Sequence, residues 1–170
     1  MRYTSAEAAK LLRKLNEERD ALEVKERQSR VFCAAVGEDV ESVRPDYDYK
    51  AMQERLNSLD EQIRHVKHRI SVFNLEHVVP EFSMSIDQLL VYIPQLTRRK
   101  QKLYGMQSRL PKQREAASGG IRVTSVIDYN YANYDIEAVR ADYEKTADEL
   151  ARAQTALDVM NNTELLELDI

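Results

Sequence analysis

Seven apolar residues, Met52, Leu56, Leu59, Ile63, Val66, Ile70 and Phe73, follow one another at spacings of 4, 3, 4, 3, 4 and 3. A helix returns to the same face about every 3.5 residues, so the run is an a/d heptad seam held for three repeats. Such a seam is stable in water only when another helix covers it, which commits the chain to helix-on-helix packing. A second seam meets that demand: Ile136, Val139, Tyr143, Thr146, Leu150, Ala153, Leu157 and Met160. The two seams predict helices over about 48–74 and 135–161. Asp135 supplies the N-cap of the latter, and Tyr134 is placed to staple onto Val139.

Two further helices are announced by capping boxes. Thr4 with Glu7 opens a helix expected over about 5–36, with Ala8, Leu12, Leu15, Leu22, Ser29, Cys33 and Val36 as a rough seam broken by Arg19 and Glu26. Gly37 is its natural stop, and Pro45 forbids helix through the polar loop that follows. Ser85 with Gln88 opens a helix over about 85–115 that Pro94 should kink or split. Between them His77-Val78-Val79-Pro80 reads as extended, because a proline disfavours helix at the residue before it. Ala116 to Gly120 is a hinge, and the β-branched stretch Ile121–Ile127 reads as a short strand pairing with Val78 and Val79. Residues 163–168 form an apolar tail that needs a groove. The fold class is therefore mainly α. We expect one domain over 1–170, an antiparallel long-helix coiled-coil bundle of about four helices with a small two-stranded β element.

Charge adds partners to the seams. Residues 95–114 hold seven Lys or Arg and no acid, whereas 135–170 hold ten acids against Arg140, Lys145 and Arg152. A basic third helix beside an acidic fourth is complementary along its flanks. Long two-sided helices also leave apolar stripes uncovered at their ends, so self-association is expected, a two-fold dimer first.

Other classes are disfavoured. A net charge of −4 offers no overall attraction to nucleic acid or an acidic membrane. The one cysteine, Cys33, excludes an internal disulfide framework and a Cys-based zinc site. No stretch approaches the ~20 apolar residues of a membrane span, and the first residues lack a signal-peptide core. Cytoplasmic residence without a membrane partner follows as the expectation. Glu61, His65 and His68 share a helical face, but the seam places them on its solvated side, so no metal site is expected. Cys33, on a seam position, is expected to be a buried, inert thiol. With three His in all and no nucleophile–base pair in sequence, neither an enzyme nor a cofactor is expected.

Two places remain. Asp128-Tyr129-Asn130-Tyr131-Ala132-Asn133-Tyr134 alternates aromatic and amide side chains, the chemistry of adaptable contact surfaces, so Tyr129, Tyr131 and Tyr134 are the candidate partner-binding residues. Arg98, Arg99, Lys102 and Arg109 could instead track phosphates, with Tyr92 and Tyr104 stacking bases.

Three segments carry a resemblance: Arg69-Ile70-Ser71-Val72-Phe73-Asn74, Ile121 to Asp128, and Asn161-Asn162-Thr163-Glu164-Leu165. The first is similar to a helix end with an Ile and a closing Asn, the second to a strand ending on a Val-Asp step, the third to an Asn-x-Thr-Thr-Glu-Leu signature. Together they resemble the septicolysin-like family of small helical bacterial proteins. Asn162 stands where that family usually has an aromatic residue, and Leu90-Val91-Tyr92-Ile93-Pro94 stands near its usual Ala-Arg-Arg-Asp run. The resemblance implies a helical fold and a bacterial source, and no catalytic residue. The leading expectation is a non-enzymatic, homo-oligomeric coiled-coil protein with an unknown protein partner. A nucleic-acid accessory role through the basic helix 98–114 is the alternative, and a membrane-active, cytolysin-like role the weaker one.

Overall fold

A computed structural model describes residues 1–114 and 129–169. In chain order the described elements are β1 (Arg2–Thr4), α1 (Ser5–Ser29), α2 (Val40–Val43), α3 (Tyr49–Glu76), β2 (Val78–Val79), β3 (Met84–Ser85), α4 (Ile86–Gln107), β4 (Lys112–Arg114), β5 (Tyr129–Tyr131), α5 (Ile136–Thr163) and β6 (Leu165–Glu167). The chain is mainly helical, its long helices packed on one another and its strands confined to two-stranded sheets. Both capping boxes form. Thr4 and Ser85 accept from the backbone N–H of Glu7 and Gln88, whose side chains accept in return from the cap N–H groups.

The described residues divide into two compact units, Met1–Val78 with Asp158–Ile170, and Val79–Leu157. In the first, α1 and α3 pack antiparallel. Leu59, Ile63, Val66 and Phe73 of the α3 seam are buried, as are Ala8 and Leu15 of α1. Arg19 and Glu26, which break the α1 seam in sequence, are its polar ties. Arg19 Nε donates to Asp60 Oδ1 at 2.7 Å, and Glu26 Oε1 accepts from the Tyr47 hydroxyl and from Gln53 Nε2. Polar groups at seam positions fix register where leucines alone would allow slippage. The C-terminal tail finds its groove here. β6 pairs antiparallel with β1, Arg2 opposite Glu167 and Thr4 opposite Leu165, and Leu166 and Leu168 are buried. Arg69 Nε donates to the Glu167 carbonyl at 3.0 Å, tying this sheet to α3.

In the second unit α4 lies antiparallel to α5. Tyr92 donates to Glu149 Oε1 at 2.6 Å, and Arg99 meets Asp142 at 4.0 Å. These partners step forward seven residues on α4 and back seven on α5, one heptad each way. The same register sets the buried Leu89, Leu96 and Leu103 level with Ala153, Thr146 and Val139, all buried. Thr146 Oγ1 stays satisfied by donating to the Asp142 carbonyl one turn back.

Several expectations need correction. α1 ends at Ser29, not near residue 36, and Cys33 is exposed instead of filling a seam position. The reason is the partner: α3 begins only at Tyr49, and the Glu26 contacts to Tyr47 and Gln53 already reach its first turns, so a longer α1 would project past anything that could cover it. α4 stops at Gln107, short of 115; its first turns run uninterrupted through an exposed Pro94. An exposed proline is tolerated because water can take the carbonyl it leaves without an N–H partner. Val78–Val79 pairs with Met84–Ser85 across a tight turn that holds Ser83 at φ 49°. The expected strand at 121–127 lies outside the described residues.

Candidate functional site

β4 and β5 form an antiparallel pair in which Lys112 stands opposite Tyr131, Gln113 opposite Asn130 and Arg114 opposite Tyr129. All six residues are exposed. Tyr129 and Tyr131 alternate with Asn130 and so share a face of the strand, the period-two geometry of β structure. The Lys112 ammonium lies over that face, 4.1 Å from the Tyr129 ring centroid and 5.5 Å from that of Tyr131. An ammonium over the negative faces of two rings is attracted to both, which favours one arrangement of the aromatic pair.

The root of this hairpin is fastened to the helices. Ala132 N–H donates to the Pro111 carbonyl at 3.1 Å. The Tyr134 hydroxyl donates to the Met106 carbonyl at 2.8 Å, tying the hairpin to the last turn of α4, where the same carbonyl also accepts from the Arg109 N–H at 3.2 Å. Asp135 Oδ1 accepts from the N–H groups of Glu137 and Ala138 at the start of α5. Tyr134 is half-buried and works as an anchor, while Tyr129 and Tyr131 are the surface it positions.

The basic residues of the second candidate site are scattered along an exposed helix side and its end. Arg98, Arg99, Lys102 and Arg109 are all exposed, and Arg99 faces Asp142 of α5. Arg98, Lys102 and Arg109 have no ion pair among the described residues. The aromatic residues paired with them in sequence are occupied otherwise. Tyr92 is bound to Glu149, and that hydrogen bond together with partial burial pushes its hydroxyl pKa up. Tyr104 packs its ring 6.1 Å from that of Tyr143, which also lies beneath Lys100. Tyr47 is shifted the same way, by burial first and by its bond to Glu26 second. Tyr92 ties α4 to α5, and Tyr47 ties the segment leading into α3 to α1.

Of the metal-like trio, Glu61 and His68 are exposed, whereas His65 is half-buried, contrary to its expected place on the solvated side. Its Nε2 is enclosed with no hydrogen-bond partner among the described residues, beside a cavity of about 340 Å³ lined by Ser58, Glu61, Gln62 and Asp169. Among the described residues no group of three His, Cys, Asp or Glu side chains is arranged to hold a metal ion. A larger groove of about 510 Å³ lies where β1 and β6 meet the end of α3, lined among others by Arg2, Arg69, Phe73, His77 and Leu165. It was not legible in sequence, because it depends on a strand pair that joins residues 2 and 167. No helix among the described residues is long and apolar enough to cross a membrane.

No family model and no curated protein matches the chain. The fold is shared with a solved structure, that of a functionally unknown conserved protein from Corynebacterium diphtheriae. The likeness covers 98% of this chain and 100% of that one, at 16% identity and a TM-score of 0.63. At that identity the match establishes a common fold alone.

Proposed function

We propose that the protein is a non-enzymatic interaction protein, a homo-oligomeric helical scaffold that presents the β4–β5 hairpin to a protein partner. The observation that carries this reading is the pair of exposed tyrosines, Tyr129 at 42% and Tyr131 at 65%, held by Lys112 on a fastened hairpin. Rigid aromatic area beside amide and cationic groups gives contact surface at low cost in side-chain entropy. A cytoplasmic setting belongs to the same proposal, as does kinship with the septicolysin-like proteins. That kinship rests on the residues Arg69–Asn74 at the end of α3 and Asn161–Leu165, where α5 passes into β6.

Tyr129→Ala with Tyr131→Ala is expected to abolish capture of the partner that the wild-type chain retains from its native extract, leaving the helical circular dichroism unchanged. If the double variant retained every captured partner, the hairpin would not be the contact.

A second reading is favoured by Arg98, Lys102 and Arg109, exposed and without an ion pair among the described residues, a phosphate-binding strip on and beyond α4. Under the leading reading no complex forms with DNA or RNA in filter binding even at low salt. A complex whose affinity falls steeply with salt, and weakens on Arg98→Ala with Lys102→Ala, would put the second reading first.

A further inference from the structure

Beyond α1 the chain runs through six apolar residues without interruption, Val31-Phe32-Cys33-Ala34-Ala35-Val36, all outside any helix or strand. Val31 is 76% exposed, Val36 is 109% exposed, and Cys33 is exposed as well. Runs of this length on a surface are a liability unless they meet something.

The run is held in shape. Phe32 lies beneath the Arg44 guanidinium, 5.4 Å from ring centroid to cation. Ala35 N–H donates to Glu38 Oε2 at 2.8 Å, Glu38 N–H donates to the Ala35 carbonyl at 3.1 Å, and Gly37 takes the left-handed φ of 90° that closes the turn. Val36 is thereby displayed by a built turn, and Val31 stands exposed beside the pinned Phe32.

Its flanks carry opposite charges. Arg27 and Arg30 precede the run, with no ion pair among the described residues, and Glu38 and Asp39 follow it. Glu41 is already matched by Arg44 at 2.7 Å. A segment that reads basic, apolar, acidic is its own complement when reversed: a two-fold axis through its middle sets the basic end of each copy beside the acidic end of the other. The acidic flank also disfavours an anionic lipid surface as the occupant.

We propose that Val31–Val36 is a self-association surface that packs on the same run of a second copy, about a two-fold axis passing near Cys33 and Ala34. This rests on the homo-oligomeric scaffold reading above and names the surface that reading needs.

Because Cys33 is the protein's single cysteine, it reports directly on the axis. Brief oxidation of the full chain with diamide is expected to give a disulfide-linked dimer in high yield on a non-reducing gel. Val31→Ser with Val36→Ser is expected to weaken dimerisation at least about a hundredfold, from the loss of two buried valines on each side. In light scattering that variant runs as a single chain with unchanged helicity. A wild-type dimer that resists oxidation, and whose mass the double variant leaves unchanged, overturns the proposal while the scaffold reading stands. A wild-type chain that is monomeric at every concentration overturns both. A monomer that floats with phosphatidylcholine vesicles through Val31 and Val36 overturns the proposal in favour of lipid.

Discussion

Leu89→Ala is expected to destabilise the α4–α5 pair by about 3 kcal/mol, within the range for a buried leucine replaced by alanine. Leu89 is wholly inaccessible, and the helix register sets it level with Ala153, equally inaccessible and too small to fill the space left behind. The cavity would persist, and the cost of such a substitution grows with the cavity that remains. Leu90, next in the chain, is 44% exposed, so Leu90→Ala should cost under about 1 kcal/mol. Urea unfolding followed by circular dichroism measures both. The expected signature is a lower midpoint for Leu89→Ala at unchanged slope, with Leu90→Ala close to wild type. Equal effects would mean that the heptad phase assigned to α4 is wrong.

The second large effect is at the other pair. Phe73 closes the α3 seam at 3% exposure and stacks on His77 with ring centroids 4.0 Å apart. It also lines the groove against which β6 is laid. Phe73→Ala is expected to cost about 3–5 kcal/mol. Because the end of α3 supports the β1–β6 pair, the loss should also appear as faster hydrogen exchange at the Leu168 amide, which donates to the Met1 carbonyl at 2.9 Å. If the Leu168 amide kept its protection while overall stability fell, the strand pair would be independent of the α3 seam.

How much of this was legible in the sequence follows from which interactions are local. The α3 and α5 seams repeat every seven residues and could be read directly, and both capping boxes announced their helices within four residues of chain. The complementarity of basic and acidic helices was legible as charge, and Arg99 facing Asp142 is one pair it predicts. Arg19 and Glu26 looked like faults in a seam because their partners, Asp60, Tyr47 and Gln53, belong to another helix. The end of α1 at Ser29 is not local for the same reason: helix length there is set by how far α3 reaches, and propensity alone runs on to Gly37. The β1–β6 pair joins the two ends of the chain, a closure no local pattern encodes. At the hairpin, composition pointed to Tyr129, Tyr131 and Tyr134 alike. Only tertiary structure separates Tyr134, bonded to Met106, from the two displayed rings, and only strand register brings Lys112 over them. The Val31–Val36 run is itself a signal in the sequence. Six apolar residues in a row fit no a/d period, because a heptad admits two.

A scaffold that associates with itself is tested by light scattering on the eluting peak of the full chain across a concentration series. The chain's mass is 19.7 kDa, and the expected species has twice that mass and dissociates only on dilution. A mass of 19.7 kDa at every concentration would contradict it.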